Sequence, residues 1–219
     1  MTRCNAKIRG VAPLAAVTLA LAAAAGCGRD AAPGPAWDFA AVDAGGNVVV
    51  EGASGPHECV LDRRTGLLWE VKQAEAGLRH RDDLYTWYSS DIAEHNGEPG
   101  LMNGGRCALE RCDTEAFVAA VNATGLCGRQ DWRLPSRDEA LTLLDTRRIG
   151  DGPTLDPQYF PHAVSAECWT ATTFRLYPQG AWAIEPIYAQ DRVDWKTVPK
   201  CVRLVSGSKD AVRPKRRGR

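Results

Sequence analysis

The stretch DWRLPSRDEALTLLD, residues 131–145, sets a carboxylate and a guanidinium two positions apart. In a cleft, Asp131 and Arg133 could hold a carboxylate or a sulfate through charge-assisted hydrogen bonds. The same residues have a structural use, and that reading is preferred. Trp132 fills a junction between helices and sheet, and Arg133 is held by a carboxylate or by backbone carbonyls. Pro135 and Ser136 end a strand and cap a helix, with Glu139 completing an S-x-x-E capping box. A second set of candidates is aromatic. Tyr85, Trp87 and Tyr88 fall in a long loop, and Trp195 stands beside Arg192 and Lys196 in a later one, a composition suited to stacking on sugars or holding a polyanion. For Trp87 a loop anchor packed on the domain is preferred over a ligand platform. Trp69, Trp169 and Trp182 lie in strand-like segments and are expected in the core.

Other chemistries find little support. The chain has no nucleophile elbow, P-loop, HExxH helix or Gly-rich dinucleotide turn. The stretch EPIYAQDRVDW offers Glu185, Pro186, Asp191 and Asp194 toward calcium, but it lacks the Asn and the second motif of calcium-dependent sugar binders. His57, His80, His95 and His162 are scattered and no CxxC knuckle occurs, so no metal and no cofactor are expected.

The elements that must position these residues lie behind a leader. Arg3, Lys7 and Arg9 precede an Ala/Leu/Val run of signal-peptide length, so residues 1–26 are expected to be removed. LAAAAGC resembles the lipobox of bacterial lipoproteins, which implies acylation of Cys27. Gly28 in the next position fits outer-membrane delivery, so the expected location is the cell envelope, with a lipid anchor as the membrane partner. Residues 27–56 read as a Gly/Ala/Pro-rich tether, 57–207 as one globular domain, and 208–219 as a disordered basic tail in which RPKRRGR could touch anionic headgroups. Between 27 and 208 the chain has 18 basic and 26 acidic residues, a balance that argues against nucleic acid as a partner.

Six cysteines remain in the domain: Cys59, Cys107, Cys112, Cys127, Cys168 and Cys201. An even number in an exported chain reads as three disulfides, of which sequence alone allows about 15 pairings. The working guess among these is Cys107–Cys112, Cys168–Cys201 and Cys59–Cys127.

The domain opens with ECVLDRRTGLLWEVK, a hairpin turning at Arg64, Thr65 and Gly66. Residues 72–111 form a long excursion around LYTWY. A helix follows, capped by Asp113 or Thr114 and stopped at Gly125, with Phe117, Ala120, Val121 and Thr124 on one face. A second runs from about 137 to 147 with Leu141 and Leu144 buried. ECWTATTF, GAWAIEPIY and PKCVRLVSG read as strands. Strands, two helices and strands describe an α+β domain whose two ends pair in one antiparallel sheet, close to the C-type-lectin-like plan.

The order DRRTGLLWE, YTWY, CDTEAFVAAVNATGLCG, DWRLPSRDEALTLLD, YFP, CWTATT, AW and VRLVSG, over residues 58–206, closely resembles the Lcl C-terminal domain family of bacterial exported domains of unknown function. The resemblance implies a C-type-lectin-like fold. It also implies a non-enzymatic binding or adhesion module, since the family's namesake is a collagen-like surface adhesin implicated in binding sulfated glycans. This chain lacks the Gly-X-Y repeat, and an envelope protein is an equally admissible partner. Two rivals remain. A formylglycine-generating oxidase of related fold would need Cys168 or Cys201 as a free thiol, and a structural envelope lipoprotein would need no small ligand.

Overall fold

The computed structural model describes residues 37–49 and 57–212. The leader, Cys27, residues 28–36 and 50–56 of the expected tether, and the tail from 213 onward lie outside the described residues. The chain is α+β, with two antiparallel sheets and few helices.

The first sheet has the order β1-β2-β3-β7 and contains β1 Phe39–Val42, β2 Cys59–Asp62, β3 Leu67–Glu70 and β7 Val205–Ser206. The expected hairpin is β2–β3, in register Cys59↔Glu70 to Asp62↔Leu67. Trp69 pairs with Val205, so the two ends of the domain meet in one sheet. All four residues of β3 are buried because both of its faces are covered. Alternation then splits the core in two. Val60, Leu67, Trp69 and Val205 face Leu143, Leu155 and Phe160 on one side. Cys59 and Leu68 face Phe117, Val121, Trp132 and Trp169 on the other.

Part of the expected tether belongs to this sheet. Phe39–Val42 pairs along its whole length with β2, and Phe39, Ala40 and Val42 are buried. The following turn is pressed onto the domain. A Cβ on Gly46, at φ +89°, would stand 2.7 Å from the carbonyl oxygen of Cys127. FAAV is too short an apolar run to stand out from the Ala/Gly-rich composition around it, and the partner strand is what makes it a strand.

The long excursion is threaded through the core. Tyr85 exchanges two backbone hydrogen bonds with Lys200, at 2.8 and 3.0 Å, and the Trp87 N–H donates to the Lys196 carbonyl. It carries one short helix, α1 Ile92–His95, capped by Asp91. α2 Thr114–Thr124 begins at Asp113, whose side chain accepts from Ala116 N–H, and ends at Gly125 in the left-handed region. Its buried residues are Thr114, Phe117 and Val121, whereas Thr124 is exposed. α3 is shorter than expected, Arg137–Leu141. Beyond it Asp145 caps a separate 3-10 turn, Thr146–Arg148, and pairs with Arg147. Ala140 and Leu143 are the buried residues here, while Leu141 and Leu144, expected on the buried side, are only partly buried.

The second sheet, in the order β4-β5-β6, contains β4 Cys168–Thr173, β5 Gly180–Glu185 and β6 Gln190–Trp195. ECWTATTF and GAWAIEPIY supply β4 and β5 as expected. QDRVDW, expected in a loop, is the edge strand β6. PKCVRLVSG contributes only Val205 and Ser206 to a strand. The three disulfides are Cys59–Cys127, Cys107–Cys112 and Cys168–Cys201, which matches the working guess. They tie β2 to the turn after α2, close the end of the excursion and join β4 to the final segment.

Candidate functional site

The WRLP stretch makes its contacts inside the fold. Trp132 is buried, its Nε1–H donates to the Leu126 carbonyl at 3.1 Å, and the Asn122 amide brackets its backbone N–H and carbonyl at 2.8 and 2.9 Å. The Arg133 guanidinium forks onto Glu139 with bonds of 2.8 and 2.7 Å and also donates to the Gly207 carbonyl. Glu139 accepts as well from Ser136 N–H, so the capping box and the ion pair share one carboxylate. Asp131 turns elsewhere, toward Ser206 Oγ and Arg129, and the Ser206 hydroxyl holds its carboxyl below the ordinary value. Asp131 and Arg133 are thus not a paired clamp.

The aromatic candidates divide by burial. Tyr85 and Trp87 are fully buried, and Trp87 Nε1–H donates to the Thr170 carbonyl. Lys196 is also buried, with its ammonium 3.8 Å from the Trp87 ring centroid and donating to the Glu98 carbonyl at 2.6 Å. These three are interior supports for the excursion and present no surface to a ligand. Tyr88 is half-buried under the Arg111 guanidinium and borders a polar groove together with Glu94, Thr114 and Arg133. Trp69 is fully buried, and Pro135 is buried at the start of α3.

Arg192 and Trp195 are both exposed, but they serve opposite faces of β6. Arg192 pairs with Ala183 and Trp195 with Gly180 across the ribbon, and residues three apart in a strand point to opposite sides. On the Arg192 side the charges close among themselves: Arg192 meets Glu167 at 3.2 Å, Glu167 meets Lys200, and Lys200 meets Asp194 at 2.7 Å. Burial acts to raise the Asp194 carboxyl, yet the Lys200 ammonium and the Trp195 N–H outweigh it and hold it below its ordinary value. The remaining calcium candidates are engaged too. Asp191 pairs with Arg137, and Glu185 accepts from the N–H groups of Ile187 and Tyr188.

The Trp195 side is open. Trp182, opposite Val193, shares this face with Trp195. Trp182 stands edge-to-face with Phe174 at 5.6 Å, and Phe174 lies 6.1 Å from Tyr177. Trp195 is 58 % exposed, Tyr177 64 % and Val193 38 %, while Trp182 and Phe174 are half-buried, so apolar side chains are accessible at this sheet edge. Its polar border is Arg137, stacked 4.3 Å above Trp182 and ion-paired with Asp191. Gly180 leaves the position across from Trp195 without a side chain, and a Cβ there would crowd Val193 Cγ1 at 3.0 Å.

Sequence reading placed Trp182 in the core and missed Phe174, Tyr177 and Arg137. The signal was in GAWAIE: Ala181 and Ala183, both fully buried, are the small residues that pack on the domain, so Trp182 between them has to point outward.

A family model, the Lcl C-terminal domain, matches residues 58–206. The chain belongs to the Lcl C-terminal domain family. Most of what has been described, from β2 to the end of β7, lies inside the matched Lcl segment, including the WRLP stretch and the open aromatic face. β1 precedes it and completes its first sheet. No curated protein and no solved structure matches the chain. Among the described residues no helix is long and apolar enough to cross a membrane.

Proposed function

We propose that this Lcl domain is a non-enzymatic binding module of the cell envelope, built on a C-type-lectin-like plan and lipid-anchored through Cys27 to the outer membrane. Its binding surface is the open face of the β4-β5-β6 sheet, and its ligand is a glycan. The observation that carries this reading is the exposure of Tyr177 and Trp195 beside the half-buried Trp182, which shares the Trp195 face of the sheet, on a domain cross-linked by three disulfides. Exposed apolar patches of this kind mark recognition surfaces, and indole and phenol rings stack on the C–H faces of pyranose rings while hydroxyl groups reach a polar rim. Arg137 and Asp191 supply donors and acceptors there. Because their charges cancel, the face suits a neutral sugar better than a sulfated one. The disulfide between Cys168 and Cys201 supports reading these cysteines as structural.

The test is a glycan array followed by calorimetry on the best ligand. Trp195→Ala and Tyr177→Ala should each weaken binding about tenfold, the effect of losing roughly 1.4 kcal/mol of ring contact, with thermal stability unchanged. Arg192→Ala, on the other face, should bind as the parent does. Binding that survives both aromatic substitutions would exclude this face.

A further inference from the structure

A second site lies beside α3, where Ile184 continues the face of β5 that carries Trp182. Between α3, β4 and β3 a partly open cavity of about 40 Å³ is walled by Leu143, Leu155, Trp169 and Ile184 and by the Cys168–Cys201 disulfide. Space of this size exceeds what one water needs. Lys72, Arg81 and Arg203 contribute to the wall, which is otherwise apolar, and no acidic residue does. The Lys72 ammonium is turned to Glu70 and the Phe117 ring, and Arg81 meets Asp82, which leaves Arg203 as the cation without a carboxylate partner of its own among the described residues. Trp69 forms another part of the wall, and its Nε1–H is buried with no hydrogen-bond partner among the described residues. An orphaned buried N–H costs the full desolvation of the donor unless something occupies the site.

The buried charge is uneven as well. Lys72 and Arg203 are both buried, and the carboxylate beside them is Glu70. Glu70 meets the Lys72 ammonium at 2.9 Å through one oxygen and accepts from Leu204 N–H through the other. Arg203 reaches only the backbone of that residue, donating to the Glu70 carbonyl at 2.7 Å, and lies over the Phe160 ring. Burial brings the Arg203 guanidinium down to about 10, with Glu70 opposing the shift. Guanidinium has five donors, and Arg203 makes one hydrogen bond among the described residues.

From Arg203, the unpartnered Trp69 N–H and the apolar lining, we infer that this cavity binds a small monocarboxylate with a compact alkyl tail. The carboxylate accepts from Trp69 Nε1–H and Arg203, and the tail packs on Leu143, Leu155 and Ile184 beside the disulfide.

Two-dimensional NMR of the full-length chain, following the indole N–H resonances during titration with isobutyrate, tests this assignment. The Trp69 resonance is identified by its loss in Trp69→Phe. A saturable shift of that resonance is expected, with the neutral isostere isobutyramide binding at least about tenfold more weakly, the effect of one hydrogen bond to a charged group. Ala163→Leu narrows the cavity and should weaken isobutyrate by about the same factor, while the Trp195 face keeps its ligand. No saturable shift at Trp69, equal affinity for acid and amide, or full affinity in a folded Ala163→Leu protein would each overturn the assignment. Should Ala163→Leu fail to fold, the acid-to-amide comparison on the parent chain decides alone.

Discussion

Arg133→Met tests whether the WRLP stretch holds the fold or performs chemistry. The substitution keeps most of the side-chain length and removes the fork onto Glu139, together with the bond to the Gly207 carbonyl. Glu139 is 1 % exposed and would retain Ser136 N–H as a donor while losing its counter-charge. Breaking a buried pair by removing one partner costs about 3–5 kcal/mol. The Arg133 side chain is 17 % exposed toward the groove, which places the expected loss near the lower end, about 3 kcal/mol. In a domain of this size that corresponds to a fall in Tm of roughly 6–12 °C. Urea unfolding of Arg133→Met, Glu139→Gln and the double variant gives the coupling energy directly. Arg133→Lys should recover less than half of the loss, because an ammonium cannot make the two parallel bonds of the fork. A loss below about 1 kcal/mol, the range of exposed ion pairs, would refute the reasoning. Retained stability with loss of ligand binding would instead place Arg133 in recognition.

Two further predictions concern the covalent frame and the buried cations. In the chain-entropy model, removing Cys59–Cys127, with a sequence separation of 68, costs about 4 kcal/mol, whereas removing Cys107–Cys112, with a separation of 5, costs about 2. Paired Cys→Ser variants compared by urea unfolding check the order, and equal losses would show that native-state contacts, not loop closure, decide it. For the cations, burial lowers the Lys196 ammonium from 10.5 to about 8. Between those two values the unfolded chain binds more protons than the folded one, so this group makes stability rise with pH from about 8. Arg203 contributes in the same direction above about 10. Tyr85, raised by burial and then by Asp83, opposes both above pH 10, since its hydroxyl ionises first in the unfolded chain. Unfolding of the oxidised protein across pH 7–11 should show the rise, and Lys196→Met should flatten it below pH 10. An equal slope in the variant would refute the assignment to Lys196.

Local signals made much of the frame legible. Asp113, Gly125 and the Ser136–Glu139 box encode helix ends through hydrogen bonds within a few residues, and all of them form. The hairpin at Arg64–Gly66 is equally local. What depended on distant partners was not legible. Phe39–Val42 is a strand because β2 offers it an edge, and nothing within FAAV announces that. Tyr85 and Trp87 have the composition of a surface platform, yet their backbones pair with Lys200 and Lys196 more than a hundred residues away, which pulls both rings inside. The exposed site shows the same division between near and far information. Trp195 was identifiable as a candidate, while its proposed partners were chosen by adjacency along the chain. In a strand adjacency works against a shared face: Arg192 at three positions and Lys196 at one position from Trp195 both fall on the other side. The residues that do accompany Trp195 come from across the ribbon, Trp182 from β5 and Tyr177 from the loop before it, and from α3 through Arg137. A binding face on an antiparallel sheet is assembled by register, and period-two reading of GAWAIE and QDRVDW together is the information from which it follows.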